Sequence, residues 1–167
     1  SLAAEIDRGE IEFAYLYMAA MDAVLHADGL ESPRVEAKLA WYDEQLRGLL
    51  DRAKQKYEAV RLFLFSDHGM TPVREHCDLM ARIGALGLKF GEDYAAVYDS
   101  TMARFWFLRP QSREPIVDAL KAEPRGRVLT QEELESFRCD FDGQKYGETI
   151  FLADPGVLIL PSFMGET

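Results

Sequence analysis

Two apolar runs joined by one long amphipathic stretch constrain this chain more than any other feature. Ile11–Met21 (IEFAYLYMAAM) is apolar at odd and even positions alike, and Arg61–Ser66 (RLFLFS) repeats the pattern. A strand that is apolar on both sides belongs in the middle of a covered sheet, so both runs read as buried strands. Between them Ser32 offers an N-cap and Pro33 a first helical position. Val35, Leu39, Tyr42, Leu46, Leu49, Leu50, Ala53 and Tyr57 then follow the helical period along one face. Lys and Arg crowd the last turns, where the helix dipole favours cations. Strand, long helix, strand predicts a βαβ unit with parallel strands and a right-handed crossover.

The remainder changes texture. A second helix is expected over about 72–86, and strands over Tyr94–Tyr98 and Met102–Leu108. A short helix is expected over Glu114–Ala122. Thr130 with Glu133 makes a capping box for another helix. Thr149–Ala153 and Val157–Leu160 read as strands around the turn Asp154-Pro155-Gly156. The expected fold is therefore α/β: part of a parallel sheet flanked by helices, with a small α+β insertion. The expected division is 1–89 for the metal-site half of the core, 90–147 for the insertion, and 148–167 for strands returning to the core.

Composition sets limits on partners. A chain of 167 residues can remove roughly 70% of its unfolded surface from water. No apolar run approaches the ~20 residues that span a bilayer, and the first ten residues contain no targeting segment. The net charge of −10 argues against a nucleic acid partner, which would need a basic footprint. Cys77 and Cys139 fit neither a metal spacing nor a disulfide framework. Read as free thiols, they tilt the expected compartment towards a reducing, cytoplasmic one.

Four residues stand out chemically. Asp22 and His26 follow the first apolar run, and Asp67 and His68 follow the second, with Gly69 allowing a sharp turn beside them. Carboxylate oxygen and imidazole nitrogen are ordinary zinc ligands. Either pair alone is equally at home in a solvated loop or a helix cap. Together they put Asp/His pairs at the carboxyl ends of two parallel strands, where open α/β sheets bind ligands. The chain has three histidines, and the third, His76, reads as a surface residue on a polar helix side. Asp28 reads as a solvated turn residue rather than a spare ligand. Phe105-Trp106-Phe107 reads as strand packing. Asp140, Asp142 and Gly143 lack the terminal acid that a calcium loop needs.

Ser66-Asp67-His68-Gly69-Met70 after an apolar strand resembles the alkaline phosphatase superfamily, in its type I phosphodiesterase/nucleotide pyrophosphatase branch. Asp22, His26 and Gly29 upstream, and Ala153-Asp154-Pro155-Gly156 near the end, extend the resemblance. It implies the C-terminal part of a hydrolase of phosphate esters or anhydrides. It also implies two divalent metal ions, zinc by analogy, about 4 Å apart. Asp67 and His68 would hold one ion, and Asp22 and His26 the other. The family's nucleophile and a further Asp lie upstream of the position of Asp22, so no catalytic residue is expected here and the chain alone is expected to be inactive. The family's late His ligand has no counterpart after His76, and Leu30 stands where a Pro is usual. The implied partners are a phosphate-containing small molecule and the N-terminal part of the same catalytic domain, with self-association of the chain alone. Competing readings are another branch of the superfamily (sulfatase, phosphonate hydrolase or phosphomutase) or a non-catalytic interaction module keeping the fold.

Overall fold

The computed structural model describes residues 1–163, and the chain separates into two units, Ser1–Pro72 and Val73–Thr167. The first unit contains three helices: α1 (Leu2–Arg8), α2 (Ala20–Asp28) and α3 (Pro33–Lys56). The long helix starts where its sequence signals place it. The Ser32 hydroxyl accepts from the Arg34 N–H at 3.2 Å, Pro33 opens the first turn, and Lys54 and Lys56 sit in the last. Asp7 of α1 pairs with Arg52 of α3 at 2.9 Å, and the Tyr57 hydroxyl accepts from the Ile11 N–H at 3.2 Å. Burial in this unit is sparse. Its buried hydrophobic residues are Ile6, Val35 and Ala53.

Neither apolar run of this unit is a strand. Residues 12–18 and 58–66 carry no assigned strand and pair in no ladder, and Ala20 and Met21 wind into α2 instead. Strand structure exists through hydrogen bonds to a neighbour, and apolar side chains alone do not create it. Among the described residues neither segment has such a neighbour, and Phe13 and Phe63 stand 83% and 80% exposed.

The parallel pairing lies in the second unit. There β1 (Glu75–Cys77) pairs in parallel with β6 (Val157–Ile159), Cys77 opposite Ile159. Between them run α4 (Leu79–Gly84), β2 (Tyr94–Tyr98), β3 (Met102–Phe107), α5 (Arg113–Lys121), β4 (Gly126–Val128), α6 (Gln131–Ser136) and β5 (Thr149–Ala153). The sheet β2-β3-β5-β4 is antiparallel throughout. The result is α/β, with a parallel pair and helices beside an antiparallel sheet. The expected helix over 72–86 is instead β1 followed by α4, because Cys77 is fully buried opposite β6 and Asp78 then caps α4, accepting from the Ala81 N–H at 2.8 Å. Of the segment 148–167, β6 joins the parallel pair while β5 hydrogen-bonds into the antiparallel sheet; residues 164–167 lie outside the described residues.

Leu79, Ile83, Phe105, Ile116, Leu120, Phe151 and Ile159 form the fully buried centre of this unit. Helix α5 supplies Ile116 and Leu120 from one face, as their four-residue spacing requires. Beside this core the Glu123 side chain is wholly removed from solvent. It accepts from Arg125 Nε at 2.6 Å and pairs with Arg82 Nη2 at 2.8 Å. Arg125 also donates to the His76 carbonyl, so one carboxylate links α4, the end of α5, the approach to β4 and, through Arg125, β1. This double pairing holds the Glu123 carboxyl well below its ordinary range, at about 2, against the upward push of burial. Burial pushes the neighbouring Cys77 thiol up to about 11, so it stays protonated and unreactive. No helix among the described residues is long and apolar enough to cross a membrane.

Candidate metal centre

Asp22 and His26 lie one turn apart on α2, not on a turn leaving a strand. Residues at i and i+4 share a helix face, and His26 Nε2 stands 3.5 Å from Asp22 Oδ1. Both side chains are about half exposed. The helix itself buries no residue and has no side-chain cap at Ala19. Its start is tied by the Tyr42 hydroxyl, which donates to the Met18 carbonyl at 3.4 Å.

Asp67 and His68 occupy the irregular stretch after the second apolar run. The His68 N–H donates to Asp67 Oδ1 at 3.1 Å, and the Ser66 hydroxyl donates to the His68 carbonyl at 2.5 Å, which folds the backbone back at this point. His68 Nδ1 is 3.0 Å from the Gly69 carbonyl. A carbonyl only accepts, so Nδ1 carries a proton; Nε2, 3.7 Å from Asp67 Oδ1, is the ring nitrogen that offers a lone pair when the imidazole is neutral. That arrangement fixes tautomer and ring orientation in the way backbone carbonyls do behind metal-bound imidazoles. The hydrogen bond to the Gly69 carbonyl, and after it the Asp67 carboxylate, raise the His68 pKa.

Metal–ligand lengths of about 2.0–2.2 Å at a tetrahedral angle separate two donors by roughly 3.4 Å. The separations of 3.5 and 3.7 Å lie near that value, so each pair could offer two donors to one small divalent cation. Among the described residues no three His, Cys, Asp or Glu side chains gather into one cluster. His76, exposed as expected, sits on strand β1 of the second unit rather than on a helix.

Sequence reasoning missed the role of Asp28. It is the last residue of α2, its side chain is only 18% exposed, and its Oδ1 accepts from Arg34 Nη1 of α3 at 2.9 Å. Its other oxygen, Oδ2, is buried without a hydrogen-bond partner. An open cleft of about 630 Å³ runs along Asp28–Pro33 and Pro72, and none of the four candidate ligands lines it. The signal for the pair was present in the sequence as an acid ending one helix and a base starting the next, each at the end its charge disfavours.

Comparison with known proteins assigns the class. The sequence matches the family type I phosphodiesterase/nucleotide pyrophosphatase over residues 1–163, and the chain belongs to that family. Among solved structures it is similar to murine ectonucleotide pyrophosphatase/phosphodiesterase 5, solved as an inactive variant in complex with AMP, at 23% identity and a TM-score of 0.73. It is likewise similar to the human ectonucleotide pyrophosphatase/phosphodiesterase 5, at 22% identity and a TM-score of 0.73. Each similarity covers 99% of this chain and 46% of the other, so the chain spans less than half the length of the structures it resembles. No curated protein sequence matches it significantly.

Proposed function

We propose that Asp22/His26 and Asp67/His68 are two metal half-sites of a hydrolase of phosphate esters or anhydrides, of phosphodiesterase or nucleotide pyrophosphatase type. The observation that carries the reading is the donor spacing: each pair holds a carboxylate oxygen and an imidazole nitrogen near the separation one tetrahedral cation imposes. Divalent cations held there, zinc for this donor set, would supply positive charge against a phosphoryl oxygen. The protein's own part is positioning. Helix α2 presents Asp22 and His26 on one face, and the Gly69 carbonyl turns His68 so that Nε2 is the free donor. No side chain of this chain is assigned as nucleophile; in this reading the attacking group comes from a part of the catalytic domain that the chain does not contain, and the chain alone does not turn over. The reading makes a nucleoside monophosphate, the kind of ligand bound by the murine relative, the first to try.

The test is made in an enzyme with the whole catalytic domain, by hydrolysis of bis-(p-nitrophenyl) phosphate. Loss of one ion removes several kcal/mol of transition-state stabilisation, so His68→Ala and Asp22→Ala should each lower kcat/KM at least about a hundredfold. His76→Ala, at an exposed position of β1, should change little and controls for general loss of folding. Equal rates with Ala and His at position 68 would sink the two-metal reading.

A further inference from the structure

We infer that the Asp28–Arg34 ion pair is a positioning pair, which holds the last turn of α2, and with it His26, in the orientation a metal ion needs. The inference rests on the metal reading above. Apart from partly buried Val24 and Leu25, helix α2 has little to keep its last turn wound. It buries no side chain, and its C-terminal end is closed by one backbone bond, from the Gly29 N–H to the Leu25 carbonyl. Gly29 leaves the helix at φ 78°, ψ 168°, outside the left-handed helical geometry that commonly closes a helix with further bonds. Asp22 and His26 converge only while that turn is intact, because their meeting depends on the four-residue helical spacing.

Asp28 and Arg34 both break a local rule. An acid at a helix C-terminus and a base in a first turn each oppose the helix dipole. Local conflicts of this kind mark places where a tertiary contact prevails. Here the contact is the 2.9 Å pair, which crosses the Gly29–Ser32 corner from the end of α2 to the first turn of α3. Each charge answers the other's conflict, and the corner is clamped two residues from His26.

The experiment uses the chain with its three histidine side chains resolved by NMR, and zinc ions added stepwise. In the native chain His26 and His68 should both respond, and His76 should not. In Asp28→Ala the zinc concentration at the midpoint of the His26 response should rise at least threefold, with that of His68 unchanged. Arg34→Gln should do the same, since it breaks the pair while keeping Asp28. The exchanged pair, Asp28→Arg with Arg34→Asp, should restore the native midpoint, because it rebuilds the contact with each charge at its favoured helix end. An unchanged His26 midpoint in Asp28→Ala overturns the inference. So does a parallel rise at His26 and His68, which would mean general loosening. A native response in Arg34→Gln overturns it as well, by making Asp28 a direct ligand. If neither histidine of the native chain responds, the metal reading itself fails and takes this inference with it, an outcome distinct from the other three.

Discussion

At the scale of single residues, Glu123 shows how a buried charge is made tolerable. A carboxylate with no solvent exposure is stable only when its acceptors are filled, and two guanidinium groups fill them here. Its pKa in the folded chain is about 2 against an ordinary 4.5. A depressed folded value means the contribution is fully present above pH 4.5 and fades as pH falls towards 2. By linkage that contribution is on the order of 3 kcal/mol. Glu123→Gln should therefore lower stability at pH 7 by about 2–4 kcal/mol and flatten the acid limb of a urea-denaturation series run from pH 7 to pH 3. A variant that keeps the native pH profile would show that the arginines, not the carboxylate, carry the cluster. In the site, residue types and spacing were legible in the sequence for all four candidate ligands. That Asp22 and His26 ride on a helix was not, because the apolar run before them masked where the helix begins.

At the scale of elements, legibility followed how local the determinants are. The start of α3 rests on Ser32 and Pro33, and the start of α6 on Thr130 and Glu133, whose reciprocal hydrogen bonds form as the capping box requires. All of those signals lie within four residues of one another. Strands β2 and β3 were legible because they alternate across a tight turn at Asp99-Ser100. By contrast β1 is three residues long, Glu75-His76-Cys77, and exists because Val157–Ile159 lies beside it from 82 residues away. The two apolar runs of the first unit failed for the same reason: pattern predicts the character of a strand, and only a neighbour makes one. Strand β4 lies close enough to β5 to fix a residue identity. A Cβ added at Gly126 would stand 2.5 Å from the Leu152 carbonyl oxygen and 2.5 Å from the Phe151 ring. Gly126→Ala should cost about 1–3 kcal/mol of stability by overpacking, measurable as a lower denaturation midpoint with an unchanged slope.

At the scale of the whole molecule, the two units differ in how well they are covered. Phe13, Tyr15, Tyr17, Phe63 and Phe65 are each between 66% and 83% exposed. With about 200 Å² per aromatic side chain, that is on the order of 700–800 Å², comparable to one side of a standard protein interface. Extended apolar segments with unpaired backbone invite strand pairing and association. The chain alone should accordingly gain apparent mass with concentration in light scattering, and Phe63→Lys with Phe65→Lys should reverse the gain. A concentration-independent monomer at high micromolar concentration would count against this.

The same uneven burial has a calorimetric signature. The heat-capacity change of unfolding measures newly exposed apolar surface, at ~12–15 cal/mol/K per residue for an ordinary domain. Side chains that already face water add almost nothing to it. If all 167 residues contributed normally, the change would be about 2–2.5 kcal/mol/K. The unit beginning at Val73, 95 residues by its limits of 73 and 167, accounts for about 1.1–1.4 kcal/mol/K by the same scale. Scanning calorimetry at a concentration low enough to keep the chain monomeric should return a value near the smaller figure. The melting of Ser1–Pro72 should then show as a sloping baseline rather than a second peak.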